Sequence, residues 1–572
     1  MRISKRHCVF LLLLISLLTG GCNPIAQQQG TTPFSPLAGT EVSTIASTAA
    51  PFPTQTPRPM PTAEVQLQLW ISPGIPDRLA ESLSTQTTLN LALERSAANI
   101  WLEPSSHEEA LFEWVYSLVV PFSSLIEEFT FEELQSLWAG SPTTELLTIF
   151  ISQDSADALE PVLGKPSSST VIVVPSENLL ESAWQRRDVL AIVPFEDLEP
   201  RWKVISLAGQ SPISNQFDAA VYPLTVRYQW GGDPAAVERV FAILERGELT
   251  LSTRNRDPER LTVLVMTGVT ALVRATAVRM EEKGMTYPAG DILHWLRDAD
   301  LTHINNEVSF SPRCPDPSMA PYPLIFCSKP EYIELLDYIG TDILELTGNH
   351  GVDWGRDALL FSLDLYQQRG WVYFAAGVDE QSARDAVFIE HNGNHFAFLG
   401  CNPAGPEYIW ADEDTPGVAN CDYSWIQERI RQLREEGYLV IFTFQYFETY
   451  RHWVLNFEKE DFRKPADAGA VIVSGSQAHH PMAMEFYGDS FIHYGLGNLF
   501  FDQMWVDTVT IPKGTRKEFI DRHVFYDGKH ISTELLTAYL EDYSRPRPMT
   551  AAERRDFLQA IFTAAGWGPY QP

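Results

Sequence analysis

Short apolar runs that alternate with amphipathic stretches predict an α/β protein from Val65 to the C-terminus. Three observations carry that reading: the runs are strand-length and rich in Val, Ile and Phe, the stretches between them repeat apolar residues at helical spacing, and polar residues gather where the runs end. Some five hundred residues are too many for one core, so more than one domain is expected.

In the first part, strands are expected at Leu67–Ile71, Asn99–Leu102, Leu147–Ile151, Thr170–Val174 and Val189–Val193, with a further one at Lys203–Leu207. Helices are expected at Glu108–Val119, at Thr130–Trp138 with Thr130 as the N-cap ahead of Glu132 and Glu133, and at Leu179–Arg187. Around Arg254-Asn255-Arg256-Asp257-Pro258 the chain turns polar, and this places a boundary between a domain over 65–257 and another over 258–572. The second part reads as strands at Leu261–Met266, Leu301–Ile304, Ile343–Thr347, Trp371–Phe374, His395–Leu399, Leu439–Phe444, Ala470–Ser474 and Phe491–Tyr494. Helices fill the gaps, among them Asp291–Arg297, Glu331–Ile339, Arg356–Arg369 and Tyr423–Glu436.

The N-terminus reads as an export signal. Arg2, Lys5 and Arg6 precede the apolar run Cys8–Leu18, which is too short to span a bilayer, and Thr19-Gly20-Gly21-Cys22 follows. A Cys behind small residues resembles a lipobox; residues 1–22 would be a lipoprotein signal and Cys22 the lipidated residue of a protein held on the outer face of a bacterial cell membrane. Residues 23–64, rich in Pro and Thr, lack the apolar surface needed to fold and suit a spacer. Cys314, Cys327, Cys401 and Cys421 remain, which in an exported protein suggests two disulfides. Three pairings are open; pairing of neighbours, Cys314 with Cys327 and Cys401 with Cys421, is favoured because each pair flanks a loop rich in Pro, Asp or Gly. The net charge of −32 argues against nucleic acid as a partner and against adsorption to anionic lipid or a polyanion.

The chemistry-bearing residues sit at strand ends in the second part. Asn305 and Glu307 follow one strand, Asn349, His350 and Asp353 the next, Gln445 and Glu448 another, then Gln477, His479 and His480, and finally Asn498. In sheets with helical crossovers, functional groups gather in loops beyond the carboxyl ends of strands, so these clusters are expected on one rim. Carboxylate, amide carbonyl and imidazole are the donors a metal-dependent hydrolase uses. Structural readings compete: Asp353 as the cap of the helix near Arg356, Glu448 paired with Arg451, Asn498 as a left-handed turn residue. The aromatics Trp410, Tyr446, Phe447, Tyr450, Trp453 and Trp505 border these segments and would stack on sugar or line an apolar rim.

The order Asn305-Asn306-Glu307, Gly348 to Gly355, Gly475-Ser476-Gln477-Ala478-His479 and Gly495-Leu496-Gly497-Asn498 resembles the CapA family of poly-γ-glutamate capsule-synthesis proteins, whose fold is related to the calcineurin-like metallophosphatases. The resemblance implies a metallophosphatase-like α/β sandwich over residues 258–572 and a divalent ion, manganese or zinc. It further implies Glu307, Asn349 and His479 as ligands, His350, Asp353 and Glu448 as catalytic groups, and Asn305, Gln445, Gln477, His480 and Asn498 as the lining. The chain departs from the pattern at three donors: Val269 replaces an Asp, Gln445 a His and Gln477 a second His. In the first part, Pro121-Phe122-Ser123, Thr130 to Gly140 and Val193 to Leu198 resemble periplasmic phosphate-type solute-binding proteins. Two functions follow as expectations: a capsule or poly-γ-glutamate biosynthesis lipoprotein, with a cell-surface polymer or its synthesis machinery as partner, or a non-catalytic surface lipoprotein that binds a small ligand or partner through its first domain.

Overall fold

The structure is a computed structural model that describes residues 66–105, 110–143, 148–249, 251–506 and 514–568. Residues 1–22, Cys22 included, and the spacer 23–64 lie outside the described residues. Among the described residues no helix is long and apolar enough to cross a membrane.

The first part is built on a nine-stranded mixed sheet. Strand Phe112–Pro121 runs through it, antiparallel to Thr225–Gly232 on one side and to Leu190–Pro194 on the other. This corrects the helix expected over 108–119. The run Trp114 to Val120 is rich in β-branched and aromatic residues and buried throughout, which suits a strand covered on both faces. The helix Phe131–Trp138 starts as expected: Thr130 accepts from the Glu133 amide, and the Glu133 side chain reaches back to the Thr130 amide.

The second part packs two sheets face to face. The first is seven-stranded, in the order Val372–Phe374, Ile343–Glu345, Leu301–Asn306, Leu261–Thr270, Lys517–Tyr526, Lys529–Glu541 and Arg545–Pro548. The second is six-stranded, in the order Val387–His391, Asn394–Cys401, Leu439–Gln445, Ile472–Ser476, Ser490–His493 and Met484–Tyr487. Leu264, Met266, Phe519 and Phe525 of one sheet share a core with Phe396, Phe398, Ile441 and Ile472 of the other. The Phe396 and Phe525 rings meet edge to face at 4.9 Å. Ile426, Ile430 and Leu433 of the helix Tyr423–Glu435 cover the outer face of the six-stranded sheet. Leu335, Leu336, Leu359 and Leu363 cover the other sheet, completing an α/β sandwich.

The hairpin Lys517–Glu541 is absent from the sequence reading. Its signal was Asp527-Gly528, a two-residue turn with both φ angles positive that joins Tyr526 to its partner Lys529.

The two parts share hydrophobic contacts: Leu261, Val263, Val524, Tyr526 and Ile531 join the core of the first. Asn255 and Arg256 of the polar crossing are buried, and the Tyr526 hydroxyl accepts from the Asp257 amide while donating to the Asn255 carbonyl. Both neighbour disulfides form, with Cα separations of 5.7 Å for Cys314–Cys327 and 5.2 Å for Cys401–Cys421.

Strands Leu301–Asn306 and Ile343–Glu345 run parallel in one sheet, as do Leu439–Gln445 and Ile472–Ser476 in the other. Their carboxyl ends meet, for the Asn305 amide donates to the Ser476 hydroxyl across the two sheets at 3.1 Å. That junction is the floor of the candidate site.

Candidate functional site

Gln445, the last residue of its strand, is fully buried at the centre of the rim. Its Nε2 donates to Glu307 Oε1 at 3.0 Å, to Asn349 Oδ1 at 3.2 Å and to Gln477 Oε1. Its Oε1 accepts from the Ser476 hydroxyl at 2.6 Å. A carboxamide nitrogen carries two protons, so three acceptors around it are one too many. Glu307 Oε2 and Asn305 Oδ1 are also buried without a protein partner. Gly348 permits the close approach, because a Cβ there would stand 2.6 Å from the Cα of Glu307. Gln477 and His479 hold positive φ angles of 74° and 51°, a left-handed backbone that costs a non-glycine residue about 1–3 kcal/mol.

Beside this oxygen cage lies a hydrophobic cluster. Strand Leu261–Thr270 shifts register between Met266 and Val269, and Gly268 passes so close to the Gly497 carbonyl that a Cβ would lie 2.2 Å from its oxygen. Val269, at the position where the resemblance expects a carboxylate, is buried in a cluster with Ala271, Val273, Val308, Phe326 and Phe501. The Arg274 guanidinium is held between Phe326 and Phe501, 4.8 and 5.0 Å from their centroids. Asp502, fully buried, accepts from Arg274 Nε at 3.1 Å and Nη2 at 2.5 Å, and from the Ala275 amide.

The two imidazoles lean on the same phenylalanines: His350 lies 4.4 Å from the Phe326 ring and His479 5.3 Å from Phe501. Asp353 Oδ2 bonds His350 Nδ1 at 2.6 Å and accepts from the Phe326 amide. It does not cap the helix Arg356–Gln367, whose N-cap is Gly355. Burial works against protonation of His350, but the Asp353 hydrogen bond and the Glu307 charge outweigh it and raise its pKa. His479 Nδ1 meets Asn498 Oδ1 at 2.8 Å, and the Asn498 amide donates to the Thr515 carbonyl. The positive φ in that turn belongs to Gly497, so Asn498 acts through its side chain.

Two expected site residues are held elsewhere. Glu448 is exposed and accepts from the Tyr450 hydroxyl, while Arg451, its expected partner, pairs with Glu458 at 2.6 Å. His480 turns to the Pro481 carbonyl and packs against His452 at 4.5 Å; burial first, then the neighbouring His452, pushes its pKa down to about 3.

Sequence reasoning missed Arg274, Asp502, Phe326, Phe501, Ser476 and Glu345. Asp502 alone had a signal, a carboxylate closing the apolar run Leu499-Phe500-Phe501. Glu345, beneath the cage, accepts from the hydroxyls of Thr347 and Ser476, and burial raises its pKa to about 7.

A two-metal centre needs several anionic or imidazole donors around each ion, with one group bridging them. Among the described residues no three His, Cys, Asp or Glu side chains converge in that way. Of the positions the resemblance assigns to metal, Val269 contributes hydrocarbon and Gln445 points its N–H groups, which repel a cation, at the oxygens. The residues present do not fit a zinc or manganese pair.

Residues 263–503 match the family model described as "Bacterial capsule synthesis protein PGA_cap". The chain is 23% identical over 315 residues to "Capsule biosynthesis protein CapA" of Bacillus anthracis, covering 54% of this chain and 74% of that one. It is 25% identical over 179 residues to "PGA biosynthesis protein CapA" of Bacillus subtilis (strain 168), covering 31% of this chain and 47% of the relative, less than half its length. Among solved structures, a 5'-nucleotidase precursor from Thermus thermophilus aligns at 12% identity and TM-score 0.31, over 53% of this chain and 59% of that one. An ABC-type phosphate transport receptor from Vibrio cholerae aligns at 12% identity and TM-score 0.26, over 31% of this chain and 92% of that one. This mixed α/β chain thus carries, over residues 263–503, a region of the PGA_cap type that resembles the CapA proteins of capsule biosynthesis.

Proposed function

We propose that this protein is an exported lipoprotein, anchored at Cys22, that serves capsule or poly-γ-glutamate production through binding and not through two-metal hydrolysis. The observation that carries the second half is the Gln445 amide nitrogen, which sits among Glu307, Asn349 and Gln477 oxygens where a cation would have to sit. The first half is supported by the CapA relatives and by the export signal. A net charge of −32 disfavours direct capture of a polyanionic chain, which favours the synthesis machinery as the partner.

The test is a deletion strain complemented with the wild-type gene or with Glu307→Gln, scored by surface polymer, with metal analysis of the purified mature protein. Loss of polymer on deletion, equal rescue by both genes and substoichiometric manganese and zinc are expected. Unchanged polymer on deletion would overturn the biosynthetic role. Stoichiometric metal that disappears in Glu307→Gln, together with failed rescue, would restore the metal-dependent enzyme.

A further inference from the structure

The aromatic segment that follows the strand Leu439–Gln445 takes no part in the cage. Phe447, Trp453 and Phe457 are 46%, 59% and 48% exposed, an unusual display for large apolar side chains so close together in sequence. Trp453 and His452 form one wall of an open groove of about 520 Å³, and the helix Ala551–Ala564 forms the other. That helix buries Phe557, Leu558, Ile561 and Phe562. It presents Asp556, Gln559, Ala560 and Thr563 to the groove, a spacing that puts them on one helical face. Asp556, Gln559 and Thr563 are exposed, and Ala560 leaves the floor between them low.

We propose that this groove binds an uncharged pyranose chain, with a sugar ring against the Trp453 indole and its hydroxyls bonded to Asp556, Gln559 and Thr563. An indole plane offers a broad, weakly polar surface to the C–H face of a sugar ring. Asp556, Gln559 and Thr563 all accept from neutral hydroxyls and the Gln559 amide also donates to them, while the Thr563 hydroxyl already donates to the Gln559 backbone carbonyl at 2.7 Å and offers its lone pairs. Charge selects among occupants: Lys517 packs on the Phe557 ring of the groove helix, but Asp556 adds a carboxylate to the groove wall and the chain carries −32, so an anionic polymer or an anionic bilayer is disfavoured. A hydrocarbon occupant would strip water from Asp556 and Gln559 without replacing its hydrogen bonds. A neutral glycan satisfies both constraints.

The mature full-length protein is incubated with insoluble cellulose and chitin, and titrated with their soluble hexasaccharides by calorimetry. Retention on at least one glycan is expected, with affinity reduced about tenfold by Trp453→Ala and less by Gln559→Ala. Phe388→Ala, which removes another exposed aromatic (45% exposed), serves as the control and keeps wild-type affinity. Circular dichroism verifies that each variant is folded. Failure to bind either glycan, binding that both groove variants leave intact, or binding only to phosphatidylglycerol vesicles would each overturn the proposal.

Discussion

On one side of the rim the partly buried Arg274 and the fully buried Asp502 form an ion pair, clamped by Phe326 and Phe501, in which the aspartate also accepts from the Ala275 amide. On the other side Gln445 faces three oxygens with two protons, and Glu307 Oε2 is left without a partner. Both sides bury charge, but they settle it differently. The first supplies its own counter-ion and packs it between two aromatic rings; the second leaves acceptors in excess. A paired side resists rearrangement, whereas a side with unspent hydrogen-bond capacity is where a ligand group would find partners.

The largest expected effect comes from acidification, which acts on the core beneath both sides and separates global from local changes. His303 and His530 are buried, and burial pushes both pKa values down to about 3; His523 is held well below its ordinary value. Because these values are depressed in the folded state, their contribution to stability is complete above the ordinary histidine pKa. It is lost as pH falls from there toward 3. Glu345 has the opposite sign: its raised pKa of about 7 favours folding at low pH and that benefit disappears as pH rises through 7. Urea unfolding should therefore show stability dropping by several kcal/mol from about pH 6.5 to 4, with Glu345 offsetting part of that loss between about pH 4.5 and 7, and levelling off above pH 7. A flat acid limb would show that the histidines are not buried neutral.

Asp502→Ala breaks the paired side by leaving Arg274 buried without its anion, and should cost about 3–5 kcal/mol in urea unfolding. Gln445→Ala should cost less, about 1–3 kcal/mol, since Glu307 and Ser476 lose a partner but the cage gains room for water. The two measurements rank the sides. If Gln445→Ala were the more damaging, the cage and not the ion pair would be the rigid element. If Gln445→Ala instead acquired tight manganese binding, the carboxamide would be revealed as the obstacle to a metal.

Much of this was legible along the chain. The strands that carry Asn305 and Gln445 at their carboxyl ends appear as apolar runs closed by polar residues, and the Thr130 cap and the cysteine pairs follow from local spacing. Strand Phe112–Pro121 misled because a mostly apolar run has no clear period, and only its partners Thr225–Gly232, Leu190–Pro194 and Trp202–Val204 make it a strand. Glu448 misled for another reason: proximity in sequence to Gln445 did not bring its side chain inward, and its loop left it exposed on Tyr450.

What the sequence by itself determined is the alternation of strands and helices, the presence of Val269, Gln445 and Gln477 where the resemblance expects acidic or imidazole donors, and the acidic net charge, since each is a property of residue type at a position. Which groups meet was decided only by the tertiary structure. Arg274 and Asp502 stand far apart in the chain, and the excess of acceptors around Gln445 arises from three loops on two sheets. Hydrogen bonds and ion pairs depend on distances of a few ångströms, which the packing of the two sheets sets and no local pattern encodes.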